Sequence, residues 1–161
     1  MAQTKNNLST TKNEEFDKAT HLFATNELVK LHNKKMLKQL NLPIVLSSAR
    51  FSTQRSTDIN NDDQLQQEVL LCIGQQIMLT TNLWINAGLV NGSLGQVKEI
   101  IYDIDSKPPD LPRYVIVNFK NYIGLVWDTH YPNNVPITPI TRGNHTQLPL
   151  AMAWAITIHK S

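Results

Sequence analysis

Thr20-His21-Leu22-Phe23-Ala24-Thr25-Asn26-Glu27-Leu28-Val29 reads as a short extended stretch running straight into a capped helix. Thr25 is an N-cap residue type, and Glu27 in the first turn opposes the positive end of the helix dipole. Leu28, Leu31, His32, Met36 and Leu40 then follow at helical spacings of three to five, and Pro43 bars continuation. A strand leading directly into a helix is one βα unit, so the expected fold class is α/β.

Downstream the texture changes. Ile44-Val45-Leu46 opens a second extended stretch, and the polar run from Ser52 to Gln67 reads as an exposed loop. Short strands are expected at Gln76–Thr80, Gln96–Tyr102, Tyr114–Phe119 and Val135–Ile140, separated by turn signals at Asn91-Gly92, Pro108-Pro109 and Pro132-Asn133-Asn134. Several short strands with no helical period between them suggest a small β-barrel. Beyond Asn144 a helical period returns: Pro149 suits a first helical position, and Leu150, Trp154 and Ile158 recur every four residues. The expected layout is therefore a polar, disordered segment over 1–19, an α/β portion over 20–68, a barrel over 69–146 and a return to the α/β portion over 147–161. An inserted module inside a split α/β domain accounts for that order.

The bulk numbers set bounds. The 161 residues suit one domain, alone or with an insert, and 41% hydrophobic content supports a core. A net charge of +2 does not by itself announce nucleic acid. Cys72, the single cysteine, lies in an apolar run; an internal disulfide and a cysteine-based zinc cluster are thereby excluded. The five histidines lack metal-ligand spacing, and no Gly-x-Ser-x-Gly elbow occurs. There is also no Gly-Lys-Ser or Gly-Lys-Thr of a phosphate-cradling loop. No apolar run approaches the ~18 residues of a membrane span, and an intracellular, reducing compartment is expected.

Three segments carry a family resemblance. The first is His21 to Val29 with His32-Asn33. The second is Gly74-Gln75-Gln76-Ile77-Met78-Leu79-Thr80-Thr81-Asn82-Leu83 with Gly88-Leu89-Val90-Asn91-Gly92-Ser93-Leu94-Gly95-Gln96-Val97. The third is Leu148-Pro149-Leu150-Ala151-Met152-Ala153-Trp154-Ala155-Ile156-Thr157-Ile158-His159-Lys160-Ser161. In this order they resemble motifs of the Pif-type, RecD-like DNA helicases of superfamily 1B, although that family more often has Pro where this chain has Ala24. The third motif normally continues through Gln and Gly, so a truncated motor portion is expected.

The resemblance implies a partial second RecA-like domain interrupted by an SH3-like β-barrel. It implies single-stranded DNA as partner, 5′-to-3′ translocation driven by ATP and Mg²⁺ in the complete relative, and a nuclear or mitochondrial location. The missing motor half would be supplied in cis or in trans. No cofactor is expected in this chain itself, and no membrane. The DNA-contact residues implied are Thr25 and Asn26 at one point and Thr157, His159 and Lys160 at another. Lys near a phosphodiester makes a sequence-blind contact of the kind a translocating motor needs. Bland roles stand beside these: Thr25 as a plain cap, the terminal residues as a polar helix end. Lys98, Lys120 and Arg142 are further candidates for contact, and Tyr122, Trp127 and Tyr131 read as barrel core or as base-stacking platforms. Gly88, Gly95 and Asn91-Gly92 read as turn and bend positions. Two other readings remain open, a free-standing barrel that binds protein or nucleic acid, and a functionless remnant.

Overall fold

The computed structural model describes residues 20–52 and 65–158. The expected disordered segment over 1–19 and most of the expected loop between Ser52 and Gln67 fall outside them. The elements in chain order are β1 (His21–Phe23), α1 (Asn26–Gln39), β2 (Val45–Ser48), β3 (Arg50–Phe51), β4 (Glu68–Leu71) and β5 (Gln76–Leu79). A 3₁₀ turn over Ile85–Ala87 precedes β6 (Leu94–Ile101) and β7 (Tyr114–Phe119). The chain then runs through β8 (Asn134–Ile137), β9 (Ile140–Arg142), β10 (His145–Gln147), β11 (Leu150–Met152) and β12 (Ala155–Thr157).

The chain is mostly sheet. Its strands form a five-stranded antiparallel sheet in the order β11-β5-β6-β7-β8, a three-stranded sheet β3-β10-β9, an antiparallel pair β2-β4 and a parallel pair β1-β12. Among the described residues these sheets do not close into a barrel. Alternation explains the inward faces: Ile77 and Leu79 of β5 are buried while Gln76 and Met78 are not. In β6 the alternation breaks where the register shifts between Val97 and Glu99, a bulge that bends the strand over the core. Leu71, Leu79, Val97, Val117, Phe119, Leu148 and Leu150 fill that core.

Gly95 is needed for close approach. A Cβ there would stand 2.6 Å from Val117 Cγ1 and 2.9 Å from Phe119 Cδ1 on the neighbouring strand. Gly92 and Gly88 adopt left-handed backbone, with φ of +91 and +80, which the turn after Asn91 and the end of the 3₁₀ turn require.

Two expectations about helices fail. The C-terminal stretch is not a helix: Leu150 and Met152 pair with Leu79 and Ile77, while Ala155–Thr157 pairs in parallel with β1. Bonding to two different strands, with a bend at Trp154, outweighs a helical spacing that propensity alone cannot enforce. Pro149 therefore precedes a strand, and Ile158 is exposed. The buried face of α1 is also not the one expected. Leu28 and Leu31 are exposed, and Asn33 and Leu37, one turn apart, face inward with Met36 and Leu40 beside Leu37.

Candidate nucleic-acid interface

The strand-to-helix turn forms as its residues require. Thr25 is extended (φ −127, ψ 149), and its hydroxyl accepts a hydrogen bond from Leu28 N at 3.4 Å. Ala24, Thr25, Asn26 and Glu27 are all exposed, so the first turn of α1 offers its backbone N–H groups to solvent. The cap occupies the Thr25 hydroxyl as an acceptor and leaves its proton available to a phosphate oxygen.

β1 and β12 run parallel with Phe23 opposite Thr157, so both strands end at the same edge. The turn carrying Thr25 and Asn26 follows one of them, and Thr157 closes the other. The structure thus brings these three sequence candidates to one end of one sheet, the carboxyl end where α/β sheets receive ligands. Thr157 is itself 9% exposed, a buried position at the strand end. His159, Lys160 and Ser161 lie outside the described residues.

The platform beneath is built from aromatic and amide groups. His21, Phe23 and His32 cluster, with ring centroids 4.7 Å apart between the histidines and 5.3 Å between Phe23 and His32. Burial, then the neighbouring His21 and Lys35 charges, holds His32 below the ordinary imidazole pKa. Its Nε2 is buried without a hydrogen-bond partner. Trp154 packs with Leu37 and Cys72 where α1 meets the sheets, which makes it a packing residue as its apolar setting suggests. Asn33, quoted in the sequence only as part of a motif, bonds the backbone of Ala155 through both ends of its amide. The one sequence signal for it was a polar residue one helical turn before Leu37.

Other candidates lie elsewhere. The Arg142 guanidinium donates to the Thr81 hydroxyl, and Lys98 donates to Gln96 Oε1 at 2.6 Å. Lys120 is exposed. Trp127 and Tyr131 are 59% and 62% exposed, which corrects the core role for both, and Tyr122 packs partly against the core. Asp103 pairs with Arg113 at 3.6 Å on the surface, a contact of small energetic weight. Among the described residues no group of three or more His, Cys, Asp or Glu gathers as a metal site. No helix among the described residues is long and apolar enough to cross a membrane.

Comparison with known proteins gives a consistent result. The chain is 32% identical over 151 residues to the ATP-dependent DNA helicase PIF1 of Danio rerio, covering 89% of this chain and 21% of that protein. To the same-named protein of Mus musculus it is 34% identical over 144 residues, with the same coverage of 89% and 21%. The chain thus spans about a fifth of the length of these relatives. The solved Pif1 helicase from Candida albicans superposes with a TM-score of 0.63 at 23% identity, over 88% of this chain and 35% of that one. An unliganded Pif1 from Bacteroides sp gives 0.61 at 21%, over 88% and 42%. No protein-family model matches the chain. Sequence similarity along most of the chain and a shared fold agree, and this chain matches a portion of the Pif1-type helicases.

Proposed function

We propose that this chain supplies single-stranded DNA backbone contact and coupling elements of a Pif-type motor. Thr25 and Asn26 would meet the strand at one point, and Thr157, His159 and Lys160 at a neighbouring one. The observation that carries the reading is the parallel pairing of β1 with β12, which ends both motif-bearing segments at one edge. Solved Bacteroides Pif1 structures include complexes with single-stranded DNA, which supports the choice of ligand. The chemistry fits: backbone N–H groups and hydroxyls at a helix start, followed by a lysine, suit phosphates and ignore base identity.

The domain reading that accompanies this is a second RecA-like portion over 20–68 and 147–161 with an SH3-like insert over 69–146. The hairpin-linked strands β5 to β8 on one core support such an insert, which would also draw in β3 and β11, since these pair with β10 and β5. ATP and Mg²⁺ would act in parts of the complete motor other than the residues described, and 5′-to-3′ translocation would need the other motor half. A nuclear or mitochondrial location follows the same family reading.

The test is fluorescence anisotropy of a labelled oligothymidylate with the full chain, titrated across a salt series. Binding that weakens with salt is expected, with Lys160→Ala reducing the log–log salt slope by about one. Salt-insensitive binding, or none, would sink the reading.

A further inference from the structure

Asn33 sits on the inward face of α1 and is 3% exposed. Its Nδ2 donates to Ala155 O at 3.1 Å and to Met152 O at 3.5 Å, and its Oδ1 accepts from Ala155 N at 2.8 Å. Along a strand the backbone groups of successive residues point to alternate edges. Trp154 O receives His21 N of β1 at 2.7 Å, so Ala155 presents its N–H and C=O to the opposite edge. There the amide of Asn33 takes both, doing for one residue what a further strand would do.

Asn33 stands seven residues beyond Asn26 on the same helix, about 10 Å along the axis. Ala155 stands two residues before Thr157 on β12. We propose that Asn33 is a positioning residue. By clamping Ala155 it fixes β12 against α1, so that the helix start and the strand end meet DNA as one body. This rests on the DNA-contact reading above. Two phosphate contacts held at fixed spacing bind more tightly than two that move independently, because the second contact follows the first without a fresh entropic cost.

The carboxyl group provides a discriminating substitution. In Asn33→Asp an ionised side chain sets an oxygen against Ala155 O, two acceptors facing each other. Once protonated, the same group again presents one donor and one acceptor in the amide's places. Burial and the facing carbonyl raise the pKa of such a carboxyl, so the repair takes place on mild acidification.

The experiment uses the full chain and a labelled oligothymidylate, with amide hydrogen exchange at Ala155 as a second readout. Asn33→Asp and Asn33→Leu are expected to speed that exchange at pH 8 and to weaken binding about tenfold. Toward pH 5 the ratio of Asn33→Asp to wild-type affinity should return toward one, while that of Asn33→Leu stays low. Val115→Ala, a core truncation far from the clamp, should lower Tm yet leave affinity unchanged at a temperature where it is folded. Unchanged exchange in the variants would overturn the clamp. Faster exchange with unchanged affinity would overturn the positioning role, as would an equal loss of affinity in Val115→Ala or the absence of acid repair. If the wild-type chain binds no oligothymidylate, the DNA-contact reading fails and the positioning role with it, while hydrogen exchange still reports on the clamp.

Discussion

Gln147 and Ser47 exchange two hydrogen bonds in the core although a hundred residues separate them. The Ser47 hydroxyl donates to Gln147 Oε1 at 3.3 Å, and Gln147 Nε2 donates to Ser47 O at 3.2 Å. Gln147 also donates to Gln67 O at 3.3 Å and accepts from Leu148 N at 2.9 Å. One fully buried amide thereby joins β10 to β2 and to the residue leading into β4. Gln147→Ala leaves a cavity and several unpaired backbone groups, and should cost about 2–4 kcal/mol by urea denaturation. A loss within experimental error of zero would show that water repairs the site.

Gly95 and Gly92 should respond to alanine for different reasons. At Gly95 the new methyl meets Val117, Phe119 and Asn118 O within 3.0 Å, so Gly95→Ala should lower stability by about 1–3 kcal/mol through overpacking. At Gly92 nothing lies within 4 Å but φ is +91, so Gly92→Ala should cost only about 1 kcal/mol, from backbone strain. Thermal denaturation of both variants measures the order; a reversed order would refute the close-approach argument.

Stability should fall in mild acid through His32. Its folded pKa lies below the ordinary imidazole value, chiefly from burial and then from the His21 and Lys35 charges. Protonation therefore favours the unfolded chain: no penalty exists well above the unfolded pKa, and it grows as pH drops below that value. Replacing the imidazole with a neutral ring in His32→Phe should flatten the dependence of Tm on pH between neutrality and about pH 5. An unchanged slope would assign the acid sensitivity to other groups.

Cys72 should be silent in the native state. It is buried, burial raises its thiol pKa, and the thiolate is the reactive form. Reaction with a disulfide reagent at pH 8 should be slow for the folded chain and rise along the urea unfolding curve. Rapid native labelling would mean that the α1–Trp154 contact opens readily.

Much of the fold was legible. β1, the Thr25 cap and β7 stand where turn chemistry and alternation place them, because each is specified by neighbours in sequence. The misreadings share one cause. Leu150, Trp154 and Ile158 have helical spacing, but Met152 and Ala155 find partners in Ile77 and His21, more than seventy residues away. Trp127 and Tyr131 were open to a core reading because composition does not tell which side of a loop faces solvent. Of the site, Thr25, Asn26 and Thr157 were named from motifs and meet at one edge. Asn33 carried only its spacing from Leu37 as a local signal, since an inward amide declares its role only when its backbone partner is in place.

The β1–β12 pair joins residues near 21 to residues near 155 through three residue pairs. Closing so long a loop costs about (3/2)RT ln n in entropy, and three short pairings return little on their own. The antiparallel sheet between them has far more local connections, so it is expected to assemble first and to draw the two strands together. The edge where the motifs meet would then be the last part to form on folding and the first to open afterwards. Native-state hydrogen exchange would register it as a separate, less protected unit. A DNA contact at this edge, as proposed above, would stand on an element that opens ahead of the main sheet.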